Sequence, residues 1–259
     1  MPDVKVKSGE SVFVMTYSSF KYIICLWLLL FVSIFPSDAI DRVHKAQWQA
    51  GIVLSDKVVQ EIGLAHCFVA EKIPDEVFSR MQGKTWKDGS ALKRDDYRYL
   101  RVLHRNADGM TQTGEMICNK MIADKLVKIF RQLYDADYRI ERMVLIDNYD
   151  ADDERSMTAN NTSCFNYRVV KGSKTLSRHA LGLSVDINPL YNPYVKKGKR
   201  STLIQPAAGR RYAFNRDRRK DISYKIDRND LAYKLFTAQG FRWGGDWVSL
   251  KDYQHFEYK

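Results

Sequence analysis

Residues 177–186, Ser-Arg-His-Ala-Leu-Gly-Leu-Ser-Val-Asp, carry the pattern around which the rest of the chain is organised. They place His179 and Asp186 seven positions apart, with a glycine between the two side chains. The apolar residues over 183–187 predict a short strand, in which the period of two puts Asp186 on the same face as Ser184. By itself, a histidine and an aspartate at this spacing identify no particular site.

Residues 252–255, Asp-Tyr-Gln-His, add a second carboxylate and a second imidazole near the C-terminus. Two histidines and one aspartate are a suitable ligand set for a catalytic Zn²⁺, which keeps one coordination position open for water. His179, Asp186 and His255 are therefore the candidate ligands. Hydrolysis also needs a carboxylate that is not a ligand, to take the proton of the water and pass it to the leaving amine. Asp252 is the candidate for this role; the alternative is an ordinary surface acid.

The other histidines and cysteines form no metal-binding pattern. Three histidines have no partner at ligand spacing, and we expect structural or surface roles for them: His44, His66 and His104. Cys25 lies in an apolar leader, and the remaining three cysteines are widely spaced: Cys67, Cys118 and Cys164. An odd number at such spacing is neither a disulfide framework nor a zinc knuckle, so one bridge or three buried thiols both remain open.

The two motifs together resemble those of the M15 metallopeptidases. The pattern is Ser177-x-His179-x2-Gly182-x3-Asp186, followed by Asp252-x2-His255, with Gly-Gly-Asp-Trp at 244–247 ahead of the last histidine. These enzymes are zinc D,D-carboxypeptidases and L-alanyl-D-glutamate endopeptidases that cut the peptides of bacterial peptidoglycan. The resemblance covers about residues 160–258. Asp252 stands where the carboxypeptidases have glutamate, which favours the endopeptidase (M15C) branch.

The resemblance implies a role for each motif residue. It makes His179, Asp186 and His255 the Zn²⁺ ligands and Asp252 the general base. It implies that Arg168 binds substrate and stabilises the oxyanion, which suits a guanidinium, although a surface strand residue is the alternative. Ser177 and Trp247 are further substrate-binding candidates. Ser184 departs from the alanine usual in the family, a small change that should fit.

The order of predicted elements indicates an α+β fold with an antiparallel sheet. The resemblance implies that this sheet is small, carries the zinc site and is flanked by helices, as in hedgehog and D,D-peptidase domains. We divide the chain into a leader (1–39), an N-terminal extension with short helices (40–95) and a peptidase domain (96–259). Helices are predicted after Ser55 and Pro74, over about 115–134 and over about 230–239. Strands are predicted at 97–103, 143–146, 183–187 and 255–258.

The leader contains an uninterrupted apolar run of thirteen residues, 23–35, which follows Lys21. This length is short for a membrane-spanning helix and typical of a signal-peptide core. Ser37 and Ala39 are small residues where a signal peptidase would cut. The alternative is an uncleaved N-terminal anchor, with 22–35 as a membrane tether. Either reading predicts an exported protein of the periplasm or cell envelope.

The chain carries a formal net charge of +11, which suggests an anionic partner, although solubility alone could explain it. Ten lysines and arginines stand against one acid within 196–220. We predict that this segment is a long surface loop that faces an anionic wall polymer or peptide carboxylates. Nucleic acid is not expected, because aromatic residues are few there and no recognition helix is evident. A metal-free wall-binding module is the rival to an enzyme.

Overall fold

The most regular part of the fold is an antiparallel pair of nine-residue strands, Tyr97–Arg105 and Thr111–Asn119. The computed structural model describes residues 48–87, 89, 92–170 and 174–259, of which residues 48–259 form one compact unit. Its α-helices are α1 (Asp56–Ile62), α2 (Asp75–Met81), α3 (Ala123–Asp135), α4 (Asp153–Thr158) and α5 (Leu231–Ala238). Its strands are β1 (Val69–Glu71), β2 (Tyr97–Arg105), β3 (Thr111–Asn119), β4 (Ser184–Asp186), β5 (Tyr194–Lys197), β6 (Thr202–Gln205), β7 (Phe241–Trp243), β8 (Lys251–Asp252) and β9 (His255–Tyr258).

The strands form three-stranded sheets in the orders β1-β2-β3, β4-β9-β7 and β6-β5-β8, and neighbouring strands in each sheet are antiparallel. This mixture of helices and small antiparallel sheets confirms the α+β class. β1 belongs to the predicted extension and pairs with β2 of the predicted peptidase domain, so the two segments share a sheet. The predicted leader lies outside the described residues. Within those residues, no helix combines the length and apolar character that a bilayer span requires.

Helix boundaries follow capping side chains and apolar stripes. The Ser55 hydroxyl accepts a hydrogen bond from the Val58 amide at the start of α1, and the Asp230 carboxylate does the same for Ala232 at α5. Helix α3 buries Leu126, Ile129, Phe130 and Leu133, the stripe expected from spacings of three and four. It packs against β2 and α5, and this shared core supports the sheet that holds the candidate site.

The predicted helix over 115–134 was wrong in its first part. Residues 115–119 belong to β3, and the helix begins at Ala123. Glu115 is only 2% exposed, and its carboxylate accepts hydrogen bonds from Arg80 and from the Tyr99 hydroxyl. The sequence does not indicate that Glu115 is a strand residue, because its hydrogen-bond partners are remote and the local pattern shows only a charge before an apolar run.

The predicted strand 143–146 was also wrong. Residues 143–145 belong to no ladder, and Ile146 begins a 3-10 turn. The neighbouring backbone contacts are a bridge between Arg142 and Asn161 and a hydrogen bond from the Glu115 amide to the Met143 carbonyl. The side chain of Asn161 accepts a hydrogen bond from the Val144 amide and donates one to the Val144 carbonyl. A side chain therefore occupies the place of a neighbouring strand, which satisfies the backbone without a ladder.

The basic segment 196–220 is not the long loop that its composition predicts. It continues β5, forms β6 and then two 3-10 turns. Its Arg216 is 5% exposed and donates hydrogen bonds to the Tyr191 and Tyr212 carbonyls and to Asn192 Oδ1. One of the ten basic residues is thus a structural part of the interior, and burial lowers the pKa of Arg216 to about 10.

Gly182 joins the histidine of the first motif to its strand. Its φ of +63° lies in the left-handed region, and an added Cβ would lie 2.7 Å from the Asn119 amide nitrogen. That amide donates a hydrogen bond to the Gly182 carbonyl, which ties the turn to the end of β3. A side chain at this position would therefore be opposed by the backbone conformation and by a rigid neighbour.

We expect Gly182→Ala to lower the free energy of unfolding by about 2–4 kcal/mol, the sum of backbone strain and a clash with main-chain atoms. Gly83 is the matched control, since its φ of +74° is similar but an added Cβ meets nothing within 4 Å. Gly83→Ala should cost only about 1 kcal/mol. Urea unfolding curves of both variants measure the difference; equal losses would contradict the role given to the Asn119 contact.

Candidate metal centre

The pairing of β4 with β9 brings together two side chains that are remote in sequence. Asp186 lies opposite His255 in this antiparallel ladder. Opposite residues in such a pair point to the same face, with their Cβ atoms about 5 Å apart. Asp186 Oδ1 is 3.0 Å from His255 Nδ1, and both residues are buried. The register of two short strands therefore sets this half of the site.

His179 reaches the pair from the 3-10 turn His179–Leu181. Its Nε2 lies 3.2 Å from Asp186 Oδ2 and 3.2 Å from His255 Nδ1. Its Nδ1 lies 2.6 Å from the Cys164 carbonyl oxygen, which accepts a hydrogen bond only if that nitrogen carries the proton. This contact leaves Nε2 unprotonated and directed at the other two side chains, as a metal-ligating histidine requires.

The three side chains satisfy the requirements of a cation site. One ligand atom from each of His179, Asp186 and His255 lies within 4.8 Å of the others. Two imidazole nitrogens and one carboxylate oxygen are the donor class of catalytic zinc sites with an open fourth position. The donors fit Zn²⁺, and the three sequence-predicted ligands are brought together.

Electrostatics show how strongly these groups interact. Burial disfavours the Asp186 carboxylate, but the charges and hydrogen bonds of the two histidines outweigh burial and hold its pKa well below the usual value. Burial also disfavours the His255 imidazolium, yet the hydrogen bonds that it donates to Asp186 and Glu257 raise the pKa of His255 to about 10. In the absence of a cation, a proton on His255 thus takes the place of positive charge between these donors.

Asp252 lies beside the three candidate ligands but in another sheet. Its strand β8 pairs with β5, where Asp252 is opposite Tyr194. Its Oδ1 is buried and has no hydrogen-bond partner among the described residues. Burial raises the pKa of Asp252 to about 6, and the charge of His255 acts in the opposite direction. An added Cβ at Gly244 would lie 2.6 Å from the Asp252 carbonyl, so this glycine permits a close approach of two backbone segments.

The remaining sequence-predicted residues line the same cavity, which has a volume of about 620 Å³. Arg168 forms an ion pair with Asp153 at its wall. The Ser177 hydroxyl accepts a hydrogen bond from the His179 amide, so it orients the histidine turn. The Trp247 ring lies 5.4 Å from the His255 ring, measured between centroids. All seven site residues predicted from the sequence line this cavity.

Sequence reasoning missed the supports of this site. Asp153 pairs with Arg168, the Cys164 carbonyl accepts from His179, and Glu257 lies with Oε2 3.7 Å from His255 Nε2. Glu257 could have been found, because it follows His255 by two positions in a strand and so shares its face. Asp153 and Cys164 carry no such signal, since only tertiary contacts bring them to the site.

His104, in contrast, is a structural histidine, as predicted. It is 2% exposed, and its Nδ1 lies 2.7 Å from the Ile140 carbonyl oxygen. Burial lowers the pKa of His104 to about 4, so the ring is neutral at physiological pH. The three cysteines of the described residues, Cys67, Cys118 and Cys164, are buried free thiols.

Comparison with known proteins agrees with this geometry. Residues 171–258 match a family model described as D-alanyl-D-alanine carboxypeptidase. This segment contains the three candidate ligands and Asp252, while Arg168 precedes it. The chain has no significant match among curated proteins or solved structures. The match spans 88 of the 259 residues, about a third of the chain, and over this segment the chain is similar to that peptidase family.

Proposed function

We propose that the protein is a zinc-dependent peptidase that hydrolyses an amide bond in peptidoglycan stem peptides, as an L-alanyl-D-glutamate endopeptidase. The observation that carries the proposal is a buried carboxylate oxygen, Asp252 Oδ1, which has no hydrogen-bond partner among the described residues and lies beside a cluster of two histidines and an aspartate. Leaving a buried carboxylate oxygen unpaired costs free energy, and active sites are where proteins retain such groups. A wall-binding module without a metal would not need such a buried carboxylate.

The chemistry of each side chain indicates its role in the proposed reaction. His179, Asp186 and His255 would hold Zn²⁺, which when bound activates water and polarises a carbonyl group. Asp252 accepts a proton from the attacking water at Oδ1 and returns it to the nitrogen of the leaving amine. Arg168 lies in the cavity wall, where its guanidinium can donate to the oxygen on which negative charge develops.

The aspartate at position 252 supports the endopeptidase over the alternative, a D-alanyl-D-alanine carboxypeptidase. Aspartate is one methylene shorter than the glutamate of the carboxypeptidases, so its carboxylate reaches less far from the backbone. The glycine at position 244 allows its backbone to pack against that of Asp252. The family description names the carboxypeptidase activity, which remains the second candidate.

Location and partners complete the proposal. The apolar run 23–35, preceded by Lys21, supports export to the periplasm or cell envelope, with cleavage after Ala39 or retention as a membrane anchor. The substrate would be peptidoglycan or its muropeptide fragments. Most basic residues of 196–220 are exposed and could contact an anionic wall polymer.

Analysis of products tests the proposed bond. Incubation of muropeptides with the zinc-loaded protein should release the peptide that begins after L-alanine, as mass spectrometry would show. Loss of a terminal D-alanine alone would establish the carboxypeptidase instead. Absence of any product would refute both.

Substitution should separate the ligands from the base. His179→Ala and His255→Ala should lose bound zinc and activity together, because each removes one donor. Asp252→Asn preserves shape and should retain zinc while turnover falls about 10²–10⁴-fold, the usual contribution of general acid–base catalysis. Zinc per protein and kcat measure the two effects. Near-normal turnover in Asp252→Asn would show that another group moves the proton.

Arg168→Ala should lower kcat/KM about 10²–10³-fold, the size of effect seen when one donor to a developing oxyanion is removed. Arg155 is a matched control, because it lies two residues after Asp153 on the same short helix, pairs with Asp150 and does not line the cavity. Arg155→Ala should therefore keep kcat/KM near the wild-type value. Equal effects of the two substitutions would remove Arg168 from the mechanism.

A further inference from the structure

We propose that Lys196, on the inner face of the β5–β6 hairpin, binds a carboxylate of the peptide substrate within about two residues of the scissile bond. This inference rests on the proposed peptidase function and adds a specificity-determining residue to it. Neither the resemblance nor the family match assigns a role to this lysine, which the sequence presents only as one member of a basic segment.

The hairpin presents two different faces because side chains alternate along each strand. Tyr194 and Lys196 of β5 lie opposite Gln205 and Leu203 of β6, and all of these line the cavity. Val195 and Ile204 alternate with them and are buried in a small apolar cluster on the other side. The buried pair fixes the hairpin, so the orientation of Lys196 toward the cavity is a consequence of the strand period.

Among the lysines and arginines that line the cavity, Lys196 is the one for which the described part of the chain offers neither an ion pair nor a side-chain hydrogen bond. Arg168 is paired with Asp153, and Arg178 donates a hydrogen bond to the Tyr258 carbonyl. Lys196 forms no ion pair with any carboxylate of the described residues.

The acids of the cavity are also engaged. Asp186 contacts the two histidines, and Glu257 pairs with Arg242. Asp252 is the proposed base. None of these acids pairs with Lys196, so its charge is available to a ligand, and a carboxylate is the anion that peptides carry.

Strand geometry places this lysine close to the reacting bond. β5 pairs with β8 so that Tyr194 lies opposite Asp252. Lys196 is two residues further along the same strand and the same face, a distance of roughly 7 Å. An extended peptide covers about 3.3–3.6 Å per residue, so this distance corresponds to about two residues of substrate.

Apolar side chains surround the lysine at the mouth of the cavity. Val169, Val170 and Leu203 are 48%, 45% and 40% exposed, and all three line the cavity. Exposed apolar groups that converge on one cavity indicate contact with an apolar part of a ligand. The surface thus suits a peptide in which a carboxylate neighbours small apolar side chains, rather than a uniformly anionic polymer.

The test compares substrates that differ by one charge. The peptide L-Ala-γ-D-Glu-L-Lys-D-Ala-D-Ala is used with both carboxylates free, with the D-Glu α-carboxylate amidated, or with the C-terminus amidated. Wild-type protein should cleave the free peptide with a kcat/KM about three- to tenfold above one of the amides, chiefly through KM, as expected of one partly exposed ion pair. The amide that reduces kcat/KM identifies which carboxylate is bound. For cleavage after L-alanine we expect this to be the D-Glu α-carboxylate, since the C-terminus lies about four residues beyond that bond; a loss with the C-terminal amide alone would then overturn the assignment.

Variants of the hairpin attribute this preference to Lys196. In Lys196→Gln the ratio of kcat/KM for the free and amidated peptides should fall toward one, and Lys196→Arg should restore it. Lys197 is the control, since it is exposed on the same strand but does not line the cavity. Lys197→Gln should keep the wild-type ratio. An unchanged ratio in Lys196→Gln, or no preference in the wild type, would overturn the assignment.

Failure of the proposed function would be visible separately. If wild-type protein cleaves none of the peptides, peptidase activity on them is refuted, and titration calorimetry then measures binding of the same three peptides. Tighter binding of a free carboxylate in wild type, but not in Lys196→Gln, would support the lysine contact without the reaction. Equal binding of all peptides by both proteins would overturn it.

Discussion

The antiparallel pairing of β4 with β9 is the constraint on which the site depends. It joins a three-residue strand in the middle of the chain to a four-residue strand at its end, and it sets Asp186 opposite His255. A shift of one residue in either strand would turn the side chain of that strand to the other face of the sheet, away from its partner, because strand side chains alternate. Val185 and Phe256, which are opposite each other and fully buried, oppose such a shift. The apolar core thus holds the polar site in register.

Two sheets meet at residues 251–255. Asp252 pairs with β5, whereas His255, three positions later, pairs with β4. The intervening Tyr253 packs under the guanidinium of Arg216, 4.3 Å from ring centroid to Cζ, and its carbonyl accepts a hydrogen bond from Trp243 Nε1. The spacing between proposed base and proposed ligand is therefore fixed by contacts on both sides of the chain. The basic segment 196–220 contributes to this spacing, because it contains Arg216 and the end of β5.

The pairing of β5 with β8 connects the proposed substrate contact, Lys196, with the proposed base, Asp252. β5 bears Lys196 on the cavity face and holds the strand of the proposed base through Tyr194. The proposed substrate contact and the proposed base therefore share one small sheet, and a substitution that loosens β5 should affect both.

The sequence by itself determined the local features. Ser55 and Asp230 cap predicted helices, the apolar stripe of α3 lies where spacing put it, and residues 184–186 and 255–258 are strands as expected. It also singled out the three side chains of the candidate cation site, because their chemical types and spacing form a motif. These features depend on neighbours within a few positions, which is why a one-dimensional pattern contains them.

Only the tertiary structure decided the rest. Glu115 lies in a strand because Arg80 and Tyr99 satisfy its buried carboxylate, and Arg216 is interior because three remote oxygens accept its hydrogen bonds. Lys196 lines the cavity and Lys197 does not, because side chains alternate along β5 and its pairing fixes which face meets the cavity. The sequence presents both only as lysines of a basic segment. Whether a charged group is buried, paired or available to a ligand depends on groups distant in the chain, and its free energy is set by those contacts rather than by its sequence neighbours.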